Sequence, residues 1–177
     1  PVNPNHKAMV GVQLTLASTL RKSMRPTNTN HGTAVATLIV GEAPDGELKG
    51  FAAGGHLFAA SAFGKERNGM GADVERIGAS LNWLLANNVK LINMSFTGPS
   101  NYAFEDLLRQ AHRKGAVMIA AVGNDGRKVA KYPAASPSVV AVTAVDARMR
   151  RYRSANWGEH VEFAAPGADL YVAERGG

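Results

Sequence analysis

Two short stretches carry side chains whose types and spacing could do chemistry. In NTNHGTAVATLIVG (28–41), a histidine opens an apolar helical pattern, so His31 is expected on the first turn of a helix. An imidazole titrates near neutral pH, so it can take a proton from a hydroxyl and return it to a leaving group. In AAVGNDG (120–126), Gly123 and Gly126 flank Asn124, whose amide offers two N–H donors. A rigid amide donor at a strand end is what a developing oxyanion needs. Each reading has a plainer competitor: a histidine can simply start a helix, and Asn-Asp-Gly is a common turn.

The elements that must position these residues alternate along the chain. His31 to Val40 reads as a helix, with Ala34, Val35, Leu38 and Ile39 on its apolar face. Helices are also expected over 72–88, with Val74, Ile77, Leu81, Leu84 and Leu85 inward, and over 101–115, with Phe104, Leu107, Leu108 and Ala111 inward and Gly115 as the stop. Strands are expected at 57–63, 89–96, 116–122, 138–145 and 161–165, and VGVQLTLAS (10–18) alternates like a further strand. Near-continuous apolar strands separated by helices predict an α/β domain, with a mostly parallel doubly wound sheet and helices on both faces. Ligands bind such sheets beyond the carboxyl ends of the strands. That directs attention to TGPSN after Phe96 and GNDGRK after Val122.

The blocks HGTAVATLIVG, INMSFTGP, AAVGNDG, YPAASPSVVAVTAVDA and SANWGEHVEFAAPG follow one another in that order. Together they resemble the subtilisin-like serine proteases (the subtilases), over about residues 31–173. The resemblance implies a three-layer subtilisin-like fold and the hydrolysis of peptide bonds. It makes His31 the general base and Asn124 the oxyanion donor. It gives Ser95, Phe96, Thr97 and Gly98 to the edge that pairs with an extended substrate, with Ala120, Ala121 and Gly123 on the opposite wall. Thr97 stands where the family often has Gly, which would narrow a subsite. Asp125 would sit at the pocket rim and favour basic or polar side chains. YPA (132–134) matches a turn closing the same pocket, and a cis bond is expected before Pro133.

Two partners of His31 are not found at matching positions. The family carries its triad in the order Asp, His, Ser, yet the first acid in this chain is Glu42. VNPNHKAM (2–9) resembles the sequel to the Asp-bearing block, which puts the Asp just before Pro1. The serines after Asn124 are Ser136, Ser138 and Ser154, and none lies in the family's Gly-Thr-Ser motif. The reading is therefore a partial peptidase domain over 1–177, incomplete at both ends and inactive by itself. Loss of the first strand and of the serine-bearing helix would expose apolar sheet surface and favour self-association.

Composition narrows the remaining classes. At 177 residues and 45% hydrophobic, the chain can bury a core. It has no cysteine, which excludes disulfides, thiolate metal sites and cysteine nucleophiles. The net charge of +6 is concentrated in RKSMR (21–25) and in Arg148, Arg150, Arg151 and Arg153 around Tyr152. The second cluster reads as a solvated loop, not a nucleic-acid patch. His6, His56, His112 and His160 have no metal-ligand spacing, and no EF-hand pattern occurs. No cofactor is expected; calcium is a habit of the family with no motif here. No apolar run is long enough to span a membrane. The opening PVNPNHKAMV has neither the charged start nor the apolar block of a secretory leader. The resemblance implies a peptide or protein substrate and export to the cell envelope or beyond. A peptide-binding pseudoprotease on the same scaffold is the alternative. A nucleotide-binding domain would need a G-x-G-x-x-G or a Walker-type loop, and neither occurs.

Overall fold

The computed structural model describes residues 1–66 and 69–173, and these divide into two compact units. The first comprises residues 1–84 with the segment from Tyr171, and the second residues 85–170. The terminal ERGG (174–177) lies outside the described residues.

In the first unit a single 3-10 turn (Lys7–Met9) leads to β1 (Gln13–Ser18), a short β2 (Arg25–Pro26), helix α1 (Asn30–Val40) and β3 (His56–Ser61). Strands β1 and β3 pair in parallel, from Gln13↔His56 to Ser18↔Ser61. Parallel strands need a long crossover, and the segment containing α1 supplies it. β4 (Gly64–Glu66) pairs antiparallel with both β2 and β5 (Gly69–Gly71) in a small separate sheet. Met9, Ala36 and Val40 form a core cluster with Val2, Val12, Leu14, Ile39 and Leu57 packed around it.

The buried face of α1 differs from the expected one. Thr33, Ala36, Thr37 and Val40 are buried, whereas Ala34, Val35, Leu38 and Ile39 are half-buried. The threonines can be buried because their hydroxyls are satisfied within the helix: Thr33 Oγ1 donates to the Thr29 carbonyl at 2.7 Å and Thr37 Oγ1 to that of Ala34 at 3.0 Å. Helix α2 (Val74–Ala86) likewise buries Leu81 together with Arg76 and Ser80. Thr19 Oγ1 bonds the Arg76 carbonyl at 3.1 Å and Ser80 Oγ at 3.0 Å. Val74, Ile77, Leu84 and Leu85, expected inward, are only half-buried.

The second unit holds β6 (Leu91–Met94), α3 (Tyr102–Arg113), β7 (Val117–Ala121), β8 (Val140–Val145) and β9 (Phe163–Pro166). The four strands form one parallel sheet in sequence order. Asn101 caps α3 by accepting from Phe104 N–H at 3.1 Å. The helix buries Phe104, Leu108 and Ala111, with Leu107 half-buried. It ends where expected: Gly115 has φ +82°, and its N–H bonds the His112 carbonyl at 2.8 Å. One face of the sheet is well buried, through Ile92, Met94, Met118, Ala120, Ala141 and Val145. The opposite face keeps Leu91 at 67% exposed, Val117 at 50% and Phe163 at 62%. The parallel strands and their helices make the expected α/β fold, and these three apolar residues of the sheet stay exposed. The basic loop is exposed, with Arg150 paired to Asp146 at 2.7 Å and Arg151 donating to the Ala155 carbonyl.

Candidate functional site

The site is built from the carboxyl ends of β6 and β7, both in the second unit. After Met94 the chain leaves β6 through Ser95, Phe96 and Thr97; after Ala121 it leaves β7 through Gly123, Asn124 and Asp125. These residues and Lys131 line a cleft of about 280 Å³, enough for one amino-acid side chain. Asn93 Nδ2 donates to Ser95 Oγ at 2.9 Å on the first wall. Gly98 does not line the cleft. It exchanges two backbone hydrogen bonds with Tyr132, at 2.7 and 3.1 Å, tying the first wall to the turn that follows. The Tyr132–Pro133 bond in that turn is cis, as expected. Ala120 also falls outside the cleft lining: strand alternation turns it into the buried face of the sheet while Ala121 faces the cleft.

The loop after β7 is held by Asn156, a fully buried side chain in the SANWG segment. Asn156 Oδ1 accepts from Asp125 N–H at 2.7 Å, and Nδ2 donates to the Val122 carbonyl at 3.0 Å and to Asp125 Oδ2 at 2.8 Å. Its backbone N–H bonds the Gly123 carbonyl at 2.9 Å, and its own carbonyl accepts from Thr143 Oγ1 at 2.8 Å. Gly123 has φ +101°, and a Cβ there would come within 2.7 Å of Asn156 Nδ2. Only glycine satisfies both the conformation and the close approach. The result is an exposed Asn124 on a rigid loop.

Asp125 was expected at the pocket rim, favouring basic or polar side chains, and it lines the cleft. It is paired with Lys131, whose Nζ lies 2.9 Å from Oδ1 and 2.8 Å from Oδ2. The Lys131 hydrogen bond first, and that from Asn156 second, hold the Asp125 carboxyl below its usual range. Neither Lys131 nor Asn156 was among the expected site residues. Lys131 directly precedes the YPA turn, and Asn156 lies in a block that carried the resemblance; the signal was adjacency to motif residues.

His31 belongs to the first unit, exposed on the first turn of α1. The next residue, Gly32, lies against the start of the chain: a Cβ there would be 2.0 Å from the Pro1 carbonyl oxygen. Asn3 N–H donates to Thr33 Oγ1 at 2.9 Å, fixing the same approach. Two of the other histidines make hydrogen bonds within the fold. His6 Nδ1 accepts from Ala8 N–H, and His56 Nε2 bonds Thr15 Oγ1 at 2.8 Å across β1 and β3. Among the described residues no group of three or more His, Cys, Asp or Glu is placed to hold a metal ion.

The cleft and the exposed loop amide lie beyond the carboxyl ends of parallel strands, where α/β proteins bind their ligands. The protease domain of PatA superposes on 99% of the chain with a TM-score of 0.86 at 26% identity, the match covering 67% of that structure. The prenylagaramide maturation protease PagA gives 0.81 at 26% identity, over 98% of this chain and 62% of that one. The subtilase family pattern matches residues 16–175, and the chain belongs to that family of serine-type peptidases. Its relatives include the minor extracellular protease Epr of Bacillus subtilis, 34% identical over 79% of the chain, and the thermostable alkaline protease of Halalkalibacterium halodurans, 32% identical over 81%. The chain spans 22% of the length of the first and 39% of the second.

Proposed function

We propose that residues 1–177 are the core portion of a subtilisin-like serine endopeptidase. In this reading the cleft between Thr97 and Asn124 receives one side chain of an extended peptide. The observation that carries it is the Asn124 loop: a donor amide on a conformation fixed by five hydrogen bonds through Asn156. Such preorganised donors stabilise an oxyanion without reorganising during the reaction. His31 takes the proton of the attacking hydroxyl and returns it to the leaving amine.

The acid and the nucleophile belong, in this proposal, to parts of the whole protein outside residues 1–177. Residues 1–177 alone then have no covalent route and are inactive. The substrate class is peptide bonds of proteins or peptides, and the location is outside the cytoplasm, by analogy with the minor extracellular protease Epr of Bacillus subtilis.

The test is an aryl phosphonate probe that labels an activated serine, applied to the full-length protein. Labelling is expected for the wild type and abolished by His31→Ala. Asn124→Ala should slow it by roughly a hundredfold, the scale already established for such an amide in a subtilisin. Labelling that survives His31→Ala unchanged would remove the mechanism. A wild type that binds peptides but never labels would instead be a peptide-binding scaffold.

A further inference from the structure

Two charged side chains line the cleft, and their surroundings are not equivalent. The Asp125 carboxylate accepts from Asn156 Nδ2 through Oδ2 and from Lys131 Nζ through Oδ1, its Oδ2 also lies within ion-pair distance of that ammonium, and its own N–H is bonded to Asn156 Oδ1. It is fixed in place and its charge is compensated. Lys131 is held differently. Its stem passes Gly123, where a Cβ would lie 3.6 Å from Lys131 Cδ, and its ammonium bonds Asp125 alone among the described residues. An ammonium has three donors, and the Lys131 side chain is 31% exposed in the cleft wall. A guest carboxylate can therefore gain a hydrogen bond from Lys131 without breaking any existing one. A guest guanidinium or ammonium meets that cation and can reach Asp125 only by displacing it.

We infer that Lys131 determines the specificity of the cleft, and that the cleft selects peptides with a glutamate or aspartate side chain at the position that enters it. This rests on the reading of the cleft as the substrate pocket. It departs from the preference for basic or polar side chains expected from Asp125 alone. Without Lys131 the Asp125 charge is uncovered, and the preference should turn to basic side chains.

The experiment compares peptides identical except for Glu, Gln, Phe or Arg at the varied position. Each is measured with the full-length protein by kcat/KM and by equilibrium binding, so the result is read even if cleavage is slow. The wild type should favour Glu over Arg by roughly tenfold, and Lys131→Met should invert that ratio. Asp125→Asn should widen the preference for Glu, Lys131→Arg should keep it, and the double variant Lys131→Met with Asp125→Asn should show almost none. A Glu to Arg ratio unmoved by Lys131→Met overturns the inference. Thr97→Leu, which narrows the same cleft, separates the two levels. If Thr97→Leu weakens the Phe peptide while Lys131→Met changes no ratio, the cleft is the pocket and Lys131 is not its selector. If neither variant alters any peptide, the pocket reading itself fails.

Discussion

Asn156 is the side chain on which the cleft depends most directly. Its amide is fully buried and all its hydrogen-bonding groups in the loop are matched. Asn156→Ala would orphan the Asp125 N–H and the Val122 carbonyl, at a cost of about 1–3 kcal/mol for each group that finds no water. Hydrogen exchange at Asp125 N–H should quicken by about tenfold or more, since ~1.4 kcal/mol is a factor of ten; unchanged protection would show that Asn156 is not the anchor. The Asp125–Lys131 pair adds a pH signature. The folded state holds the Asp125 pKa below its usual value, so the pair contributes above about pH 4 and is lost as pH falls through the lower folded value. The thermal midpoints of wild type and Asp125→Asn should therefore differ above about pH 4 and converge below it; a gap that persists in stronger acid would contradict the pairing. Motif residues such as Asn124 and Thr97 were legible because they sit in a short contiguous pattern. Asn156 and Lys131 were not, because their roles come from packing against a loop that sequence spacing does not relate to them.

Among the elements, periodicity located the helices and apolar runs located six of the strands, with boundaries shifted by at most three residues, while the short β2, β4 and β5 have no apolar run and were missed. Faces were less legible where polar residues satisfy themselves. Thr33 and Thr37 are buried in α1 because their hydroxyls bond the helix's own carbonyls, and hydrophobic spacing cannot register that. Helix α3 has no such complication, and there the expected inward residues hold, with a gradient that can be measured. Leu108 is fully buried and Leu107 half-buried. Leu108→Ala should cost about 2–5 kcal/mol in urea unfolding, and Leu107→Ala roughly 1–2 kcal/mol. Equal losses would mean that the helix presents a different face. The strands of the second unit were legible as parallel from their near-continuous apolar runs, though nothing in a strand's own sequence says which element covers each face.

At the scale of the whole molecule, the open face of the second sheet and its outer strand dominate. Strand β9 pairs with β8, and all four of its residues are exposed, Phe163 among them. An apolar face beside an outer strand with free backbone groups is a template for pairing with a second copy. Residues 1–177 expressed alone should show a mass by light scattering that rises with concentration, and Phe163→Lys should lower it. A monodisperse monomer that binds no apolar dye would argue against this. Synthesis brings out a different consequence of the Asn156 anchor, which is translated 31 residues after Asp125. At ~5–20 residues per second, the loop waits roughly two to six seconds for its anchor. The cleft is thus absent from the young chain and matures late, on a timetable set by the ribosome. A nascent chain stalled before residue 156 should leave the Glu peptide unbound, and one stalled well beyond it should capture it.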